Sequence, residues 1–144
     1  MGDVRGLATE VILEKVVSDA DPRVRANAIE AIETSGANVA ADYAMILAAR
    51  ARSTHSRERA NAIKAMHRLR VSTASAALMQ MLRDQRPEHR ISGLWALRQI
   101  GWWQLLNQVG QIAKQDNNLR VRRYALGILK GVAEQMQVGK GKVG

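Results

Sequence analysis

Four copies of one short motif, an arginine followed three residues later by alanine or glycine, recur along the 144-residue chain at nearly constant spacing. They read PRVRANAIEAI from Pro22, SRERANAIKAM from Ser56, PEHRISGLWAL from Pro87 and LRVRRYALGIL from Leu119. Alignment places Arg25, Arg59, Arg90 and Arg122 in one column, 34, 31 and 32 residues apart. A period of that length corresponds to one helical hairpin, a unit that cannot bury its apolar face alone and must stack on its neighbours. The pattern predicts an all-α solenoid of four hairpins, about eight helices, in a single domain over residues 1–137.

The repeats run over about 3–36, 37–71, 72–101 and 102–137, and 138–144 reads as a flexible basic tail. Motif helices are predicted at 22–35, 56–70, 87–100 and 119–136, each preceded by a partner helix at 3–18, 39–52, 73–83 and 102–115. The boundaries carry their own chemistry. Asp21 offers an N-cap carboxylate ahead of Pro22, and Pro87 opens the third motif helix in the same way. Gly36 and Gly101 fall where a left-handed C-cap residue is needed, and Ser72-Thr73 supplies hydroxyls to start a helix. Along the motif helices, Ile29, Ile63, Leu94 and Leu126 form one apolar column, and Ile32, Met66, Leu97 and Leu129 form another. Ala28, Ala62, Gly93 and Ala125 form a small column that admits a close partner helix.

Composition agrees with a helical core. Apolar residues make up 47% of the chain without a single phenylalanine, so Ala, Leu, Ile, Val and Met must fill the interior. The absence of cysteine excludes disulfides and thiolate ligands, and no signal peptide or membrane-length apolar run is visible. A cytoplasmic protein with no membrane insertion is expected. The net charge of +9 is uneven: residues 1–49 hold four basic and eight acidic groups, and 50–144 hold 18 basic and five acidic ones. Such asymmetry suits either an acidic partner or a solubility coat.

A polar column precedes the arginines. Asp19, Ser53, Asp84 and Asp116 each lie six residues before the motif arginine. The stretches DADPRVRANAIEAI over 19–32 and DNNLRVRRYAL over 116–126 carry an aspartate in the turn followed by V-R-x-x-A or its near equivalent. This resembles the HEAT-like repeats of the phycobilisome-lyase type, with departures at Ser53 and Glu58 in the second copy and His89 in the third. The resemblance covers nearly the whole chain. It implies a right-handed α-solenoid of HEAT-like hairpins in which Asp19, Arg25, Arg59, Asp84, Arg90, Asp116 and Arg122 form a structural ladder inside the stack. A guanidinium fork bridging a carboxylate and carbonyls at helix ends makes such a ladder physically reasonable.

The resemblance also implies that the motif helices line the concave surface. Helical spacing from two residues before each arginine gives the solvent stripe: Arg23, Asn27, Glu30 and Thr34; Arg57, Asn61, Lys64 and Arg68; Glu88, Ser92, Trp95 and Gln99; Arg120, Tyr124, Gly127 and Gly131. Of these, Arg57, Asn61, Lys64, Arg68, Trp95, Arg120 and Tyr124 are the expected partner-binding residues. Trp95 and Tyr124 supply aromatic anchors and the cations supply steering. Trp102 and Trp103 are adjacent on a helix, so one is expected in the core and the other outside.

No constellation argues for catalysis, a metal or a cofactor. His55, His67 and His89 lack ligand spacing, and His67 reads as a solvated surface side chain. Glu30 and Glu88 lie two repeats apart, too far for an acid–base pair at roughly 10 Å per packed helix. The expected function is a non-enzymatic protein-interaction scaffold binding an acidic or amphipathic protein partner along the concave surface. The alternative is nucleic-acid binding through the basic 50–144 segment, for which the pI near 10.8 is the electrostatic footprint. The resemblance adds a third reading, a bilin lyase-like protein. The apolar first helix (Val4, Leu7, Val11, Ile12, Leu13, Val16, Val17) makes a poor cap. The chain therefore reads either as part of a longer protein or as half of a self-associating pair.

Overall fold

The computed structural model describes residues 18–35 and 40–141, which form seven α-helices and no strand. They are α1 (Pro22–Ser35), α2 (Ala40–Arg50), α3 (Ser56–Arg68), α4 (Ala74–Leu82), α5 (Pro87–Ile100), α6 (Leu106–Gln115) and α7 (Leu119–Gly141), with a 3-10 turn at Trp103–Leu105 ahead of α6. The expected helix over 3–18 lies, apart from Ser18, outside the described residues, as does Gly36.

Local chemistry explains several of these helix ends, although Thr73 ahead of α4 makes no side-chain cap hydrogen bond, so the hydroxyl start expected at Ser72-Thr73 is not the one used. The Asp21 carboxylate accepts the Arg23 N–H at 2.9 Å, and the Asn118 side-chain oxygen accepts the Val121 N–H at 3.2 Å. Each satisfies an amide that the first helical turn leaves unpaired. α5 ends on Gly101 in the left-handed region (φ 73), with the Trp102 N–H reaching back to the Leu97 carbonyl at 3.1 Å. α3 ends in the same way, except that Arg70 occupies the left-handed position (φ 62) and Val71 N–H bonds the Met66 carbonyl at 2.8 Å. A side chain there costs about 1–2 kcal/mol relative to glycine. α7 runs past the expected end at 136 and on to Gly141, through part of the segment expected to be tail. No proline interrupts it, and each added residue extends a helix already nucleated.

The motif helices α1, α3, α5 and α7 pack side by side in chain order, and α2, α4 and α6 each lie against the motif helix that follows. Ile29, Ile63 and Leu94 are fully buried in one column, with Ile32, Met66 and Leu97 in the next, joined in one continuous core. The small column is buried throughout. At Gly93 a Cβ would stand 3.2 Å from both Leu82 Cδ2 and Met81 Cγ, so α4 approaches α5 as closely as glycine permits.

Two expectations are corrected here. Leu126 belongs to the fully buried column but is 45% exposed, and Leu129 is only half-buried. That column faces the next motif helix, and among the described residues none follows α7. His67 is half-buried rather than solvated, because Trp102 of the next repeat lies over it with ring centroids 4.3 Å apart. Burial, reinforced by Arg68, lowers its pKa. Trp102 packs on the core, while Trp103 is exposed beside Gly101. No helix among the described residues is long and apolar enough to cross a membrane.

Candidate functional site

The arginine column is built into the seams between successive motif helices. Arg25 donates from Nη1 to the Asp19 carbonyl at 2.7 Å and from Nε to the Glu58 carboxylate. Arg59 donates to the Ala51 carbonyl at 3.2 Å and to Asp84 Oδ2 at 2.7 Å. Arg90 grips Asp116 with a two-pronged fork at 2.8 and 2.9 Å, and its Nη1 reaches the Asp84 and Gln85 carbonyls. Arg122 donates to the Asp116 carbonyl at 2.6 Å. Each rung therefore ties a turn carbonyl of its own repeat to a carboxylate of the next, wherever a next repeat is described.

The carboxylates serve a second purpose. Asp19, Asp84 and Asp116 each accept the backbone N–H two residues ahead at 2.9 Å, shaping the turn into the motif helix. The Arg86 side chain, with Arg59 behind it, holds Asp84 well below the usual carboxylate range. Burial alone would raise Asp116, but the Arg90 fork and the Asn118 N–H together bring its pKa below the ordinary value.

The departures of the second and third copies turn out to be part of the same wiring. Ser53 keeps the turn function, its hydroxyl oxygen accepting the His55 N–H at 3.0 Å. The missing carboxylate is supplied five residues later by Glu58, only 1% exposed, which receives both Arg25 and the Ser53 hydroxyl. His89 occupies the column of Glu58 one repeat on, and it too reaches the preceding repeat. Its Nδ1 lies 3.2 Å from Arg59 Nη1 and its Nε2 lies 3.0 Å from the Thr54 carbonyl. Since guanidinium only donates and carbonyl only accepts, the ring is neutral with its proton on Nε2. Burial and the nearby Arg86 depress its pKa, against the pull of the Thr54 carbonyl. The signal available in the sequence was that both departures of copy two trade a turn carboxylate for a helical one.

The expected partner-binding residues divide into three groups. Arg57 and Arg120 are exposed with no ion pair among the described residues. Lys64 and Arg68 share Glu33, at 3.5 and 3.0 Å, and Lys64 also sits 5.1 Å from the centre of the half-buried Trp95 ring. Arg68 reaches the Gln99 carbonyl at 3.3 Å. Trp95 is thereby held between the core and a cation. Tyr124 is half-buried, and burial raises its pKa against the opposing charge of Arg98. Arg98 and Glu33 were absent from the sequence-derived set, although each lies one helical turn from a stripe residue.

Asn61 is the clear correction. It is 0% exposed, and neither its amide oxygen nor its nitrogen has a hydrogen-bond partner among the described residues. Its column is covered unevenly, with Asn61 sealed and Ser92 and Tyr124 half-buried. Asn27, in the same column of the first described motif helix, is exposed.

Beside the stripe, a shallow cavity of about 360 Å³ opens between the starts of α3, α5 and α7, lined by Ser56, Pro87, Glu88, Ile91, Ser92, Asn118 and Arg120. No group of three His, Cys, Asp or Glu able to hold a metal occurs among the described residues. No protein-family model matches the chain, and no curated protein matches it.

Proposed function

We propose that the repeats form a right-handed, HEAT-like α-solenoid acting as a non-enzymatic scaffold for an acidic segment of another protein. The segment lies along the stripe from Arg57 and Arg68 past Trp95 to Arg120 and Tyr124. One observation carries this reading. Of the five carboxylates beyond residue 50, Glu58, Asp84 and Asp116 are engaged by ladder arginines, leaving only Glu88 and Glu134 as acidic groups outside it. The charge left outside the ladder in this segment is therefore mostly cationic, and Glu88 on the stripe and Glu33 beside Arg68 are the like charges an acidic strand meets there. The pinned Trp95 adds a rigid aromatic contact at low entropic cost.

The test is an amide-shift titration with an acidic amphipathic peptide and, in parallel, a nucleic-acid duplex, at low and moderate salt. Peptide shifts clustered at Arg57, Trp95, Arg120 and Tyr124, weakened about tenfold by Trp95→Ala, support the scaffold reading. Duplex binding that is tighter than peptide binding, collapses steeply with salt and ignores Trp95→Ala replaces it with nucleic-acid recognition.

A further inference from the structure

The two ends of the arginine ladder complement each other. In three rungs an arginine meets a carboxylate of the following repeat: Arg25 with Glu58, Arg59 with Asp84 and Arg90 with Asp116. Arg122 has the carbonyl half of this arrangement, to Asp116, and no ion pair among the described residues. At the opposite end Asp19 is built as Asp84 and Asp116 are, with the same turn hydrogen bond, yet no described arginine forms an ion pair with it.

Open polar ends alone would be ordinary solvated termini. The neighbouring columns add independent evidence. Leu126 is 45% exposed where its column mates Ile29, Ile63 and Leu94 are 0%, and Leu119, seven residues earlier on the same helical face, is 49% exposed. Asn27 stands exposed where Asn61 is covered. Charge follows the same register. Within the stack, Glu33 of α1 pairs with Lys64 of α3. Lys130 occupies the Glu33 column, and Glu30 occupies the Lys64 column. Laying α7 of one copy on α1 of another in the repeat register sets Lys130 against Glu30 and Arg122 against Asp19, with both pairs of opposite sign. The wider charge agrees, since residues 1–49 net −4 (four basic, eight acidic) and 50–144 net +13 (18 basic, five acidic).

We propose that the outer face of α7, carrying Arg122, Leu126 and Lys130, docks on α1 of a second copy, so that copies join head to tail and continue the ladder. The two surfaces differ, so a dimer keeps one free face of each kind and assembly continues past it, as an open chain or, if the rotation closes, a ring. This contact is separate from the partner stripe and does not rest on the proposed function.

Sedimentation velocity of the full chain at low salt, from about 10 µM to about 1 mM, reads the association directly. The expected result is a mass that climbs with concentration and does not stop at the dimer. Arg122→Glu and Asp19→Arg each weaken association at least about tenfold, and their equimolar mixture restores it, because every junction between unlike copies pairs opposite charges. Leu126→Lys, at a side chain already exposed, weakens association with an unchanged circular-dichroism spectrum and so covers the case in which Arg122→Glu disturbs α7. A monomer throughout the concentration range overturns the proposal. So does association untouched by the single substitutions, or a mixture that fails to recover.

Discussion

Moving one carboxylate between two positions of the second repeat tests the ladder most directly. Glu58→Val leaves Arg25, whose side chain is 12% exposed, with only the Asp19 carbonyl as a strong partner. Breaking a buried ion pair by removing one member costs about 3–5 kcal/mol. Arg25 keeps some water and one hydrogen bond, which places it at the low end, near 3 kcal/mol. Burying valine in place of the carboxylate returns about 1 kcal/mol, for a net loss of about 2 kcal/mol. Ser53→Asp alone sets a second carboxylate beside Glu58 with one guanidinium to share, a loss of about 1 kcal/mol. The double substitution recreates the arrangement of Asp84 and Asp116: position 53 caps the His55 N–H and receives Arg25. Its stability is expected within about 1 kcal/mol of the parent, so the coupling between positions 53 and 58 is about 2–3 kcal/mol. Urea unfolding followed by far-ultraviolet circular dichroism at neutral pH measures all four corners of the cycle. Losses that simply add, with coupling under about 0.5 kcal/mol, would refute the idea that Glu58 stands in for the missing turn aspartate.

Arg70→Gly should stabilise the protein by about 0.5–1 kcal/mol: the left-handed strain is relieved, and part of the gain is offset by the greater freedom of glycine when unfolded. A raised urea midpoint at unchanged slope checks it; no gain would mean that the Arg70 side chain contributes a contact worth as much as the strain. Acid titration separates two effects by their windows. The His89 pKa is depressed by folding, so below about pH 6.5 the unfolded chain binds more protons and stability falls as pH drops, by at most about 1.4 kcal/mol per unit. His89→Gln, which retains a donor for the Thr54 carbonyl, should flatten that slope, leaving the share of His67. Asp84 and Asp116 are likewise depressed, but their contribution is held above the ordinary carboxylate value and is lost only below about pH 4. An unchanged slope between pH 7 and 5 in the glutamine variant would exclude the histidine.

Some helix boundaries were readable from short-range chemistry. Asp21-Pro22, Pro87 and Gly101 set their helix ends through bonds that span a few residues. Arg70 was not, because the left-handed cap of α3 is imposed by closing the α3 turn over the core and not by the residue that adopts it. The apolar columns also followed from the sequence, since a 3.6-residue period fixes which side chains share a face.

What that period cannot supply is the identity of the neighbour each face meets. Asn61 and Asn27 share a column and a residue type, yet one is sealed and the other exposed: among the described residues, a motif helix precedes only the one that carries Asn61. Leu126 differs from Leu94 for the mirror-image reason. The second repeat makes the same point chemically: Ser53 and Glu58 look like two flaws when read along the chain. Only the packing of α1 against α3 brings Arg25 to Glu58, 33 residues away, and makes them one working rung. The sequence by itself determined the repeat, the helices and the residues of each face. The tertiary structure decided which charges are neutralised within the stack and which remain exposed, because neutralisation depends on distances across seams that no local spacing encodes.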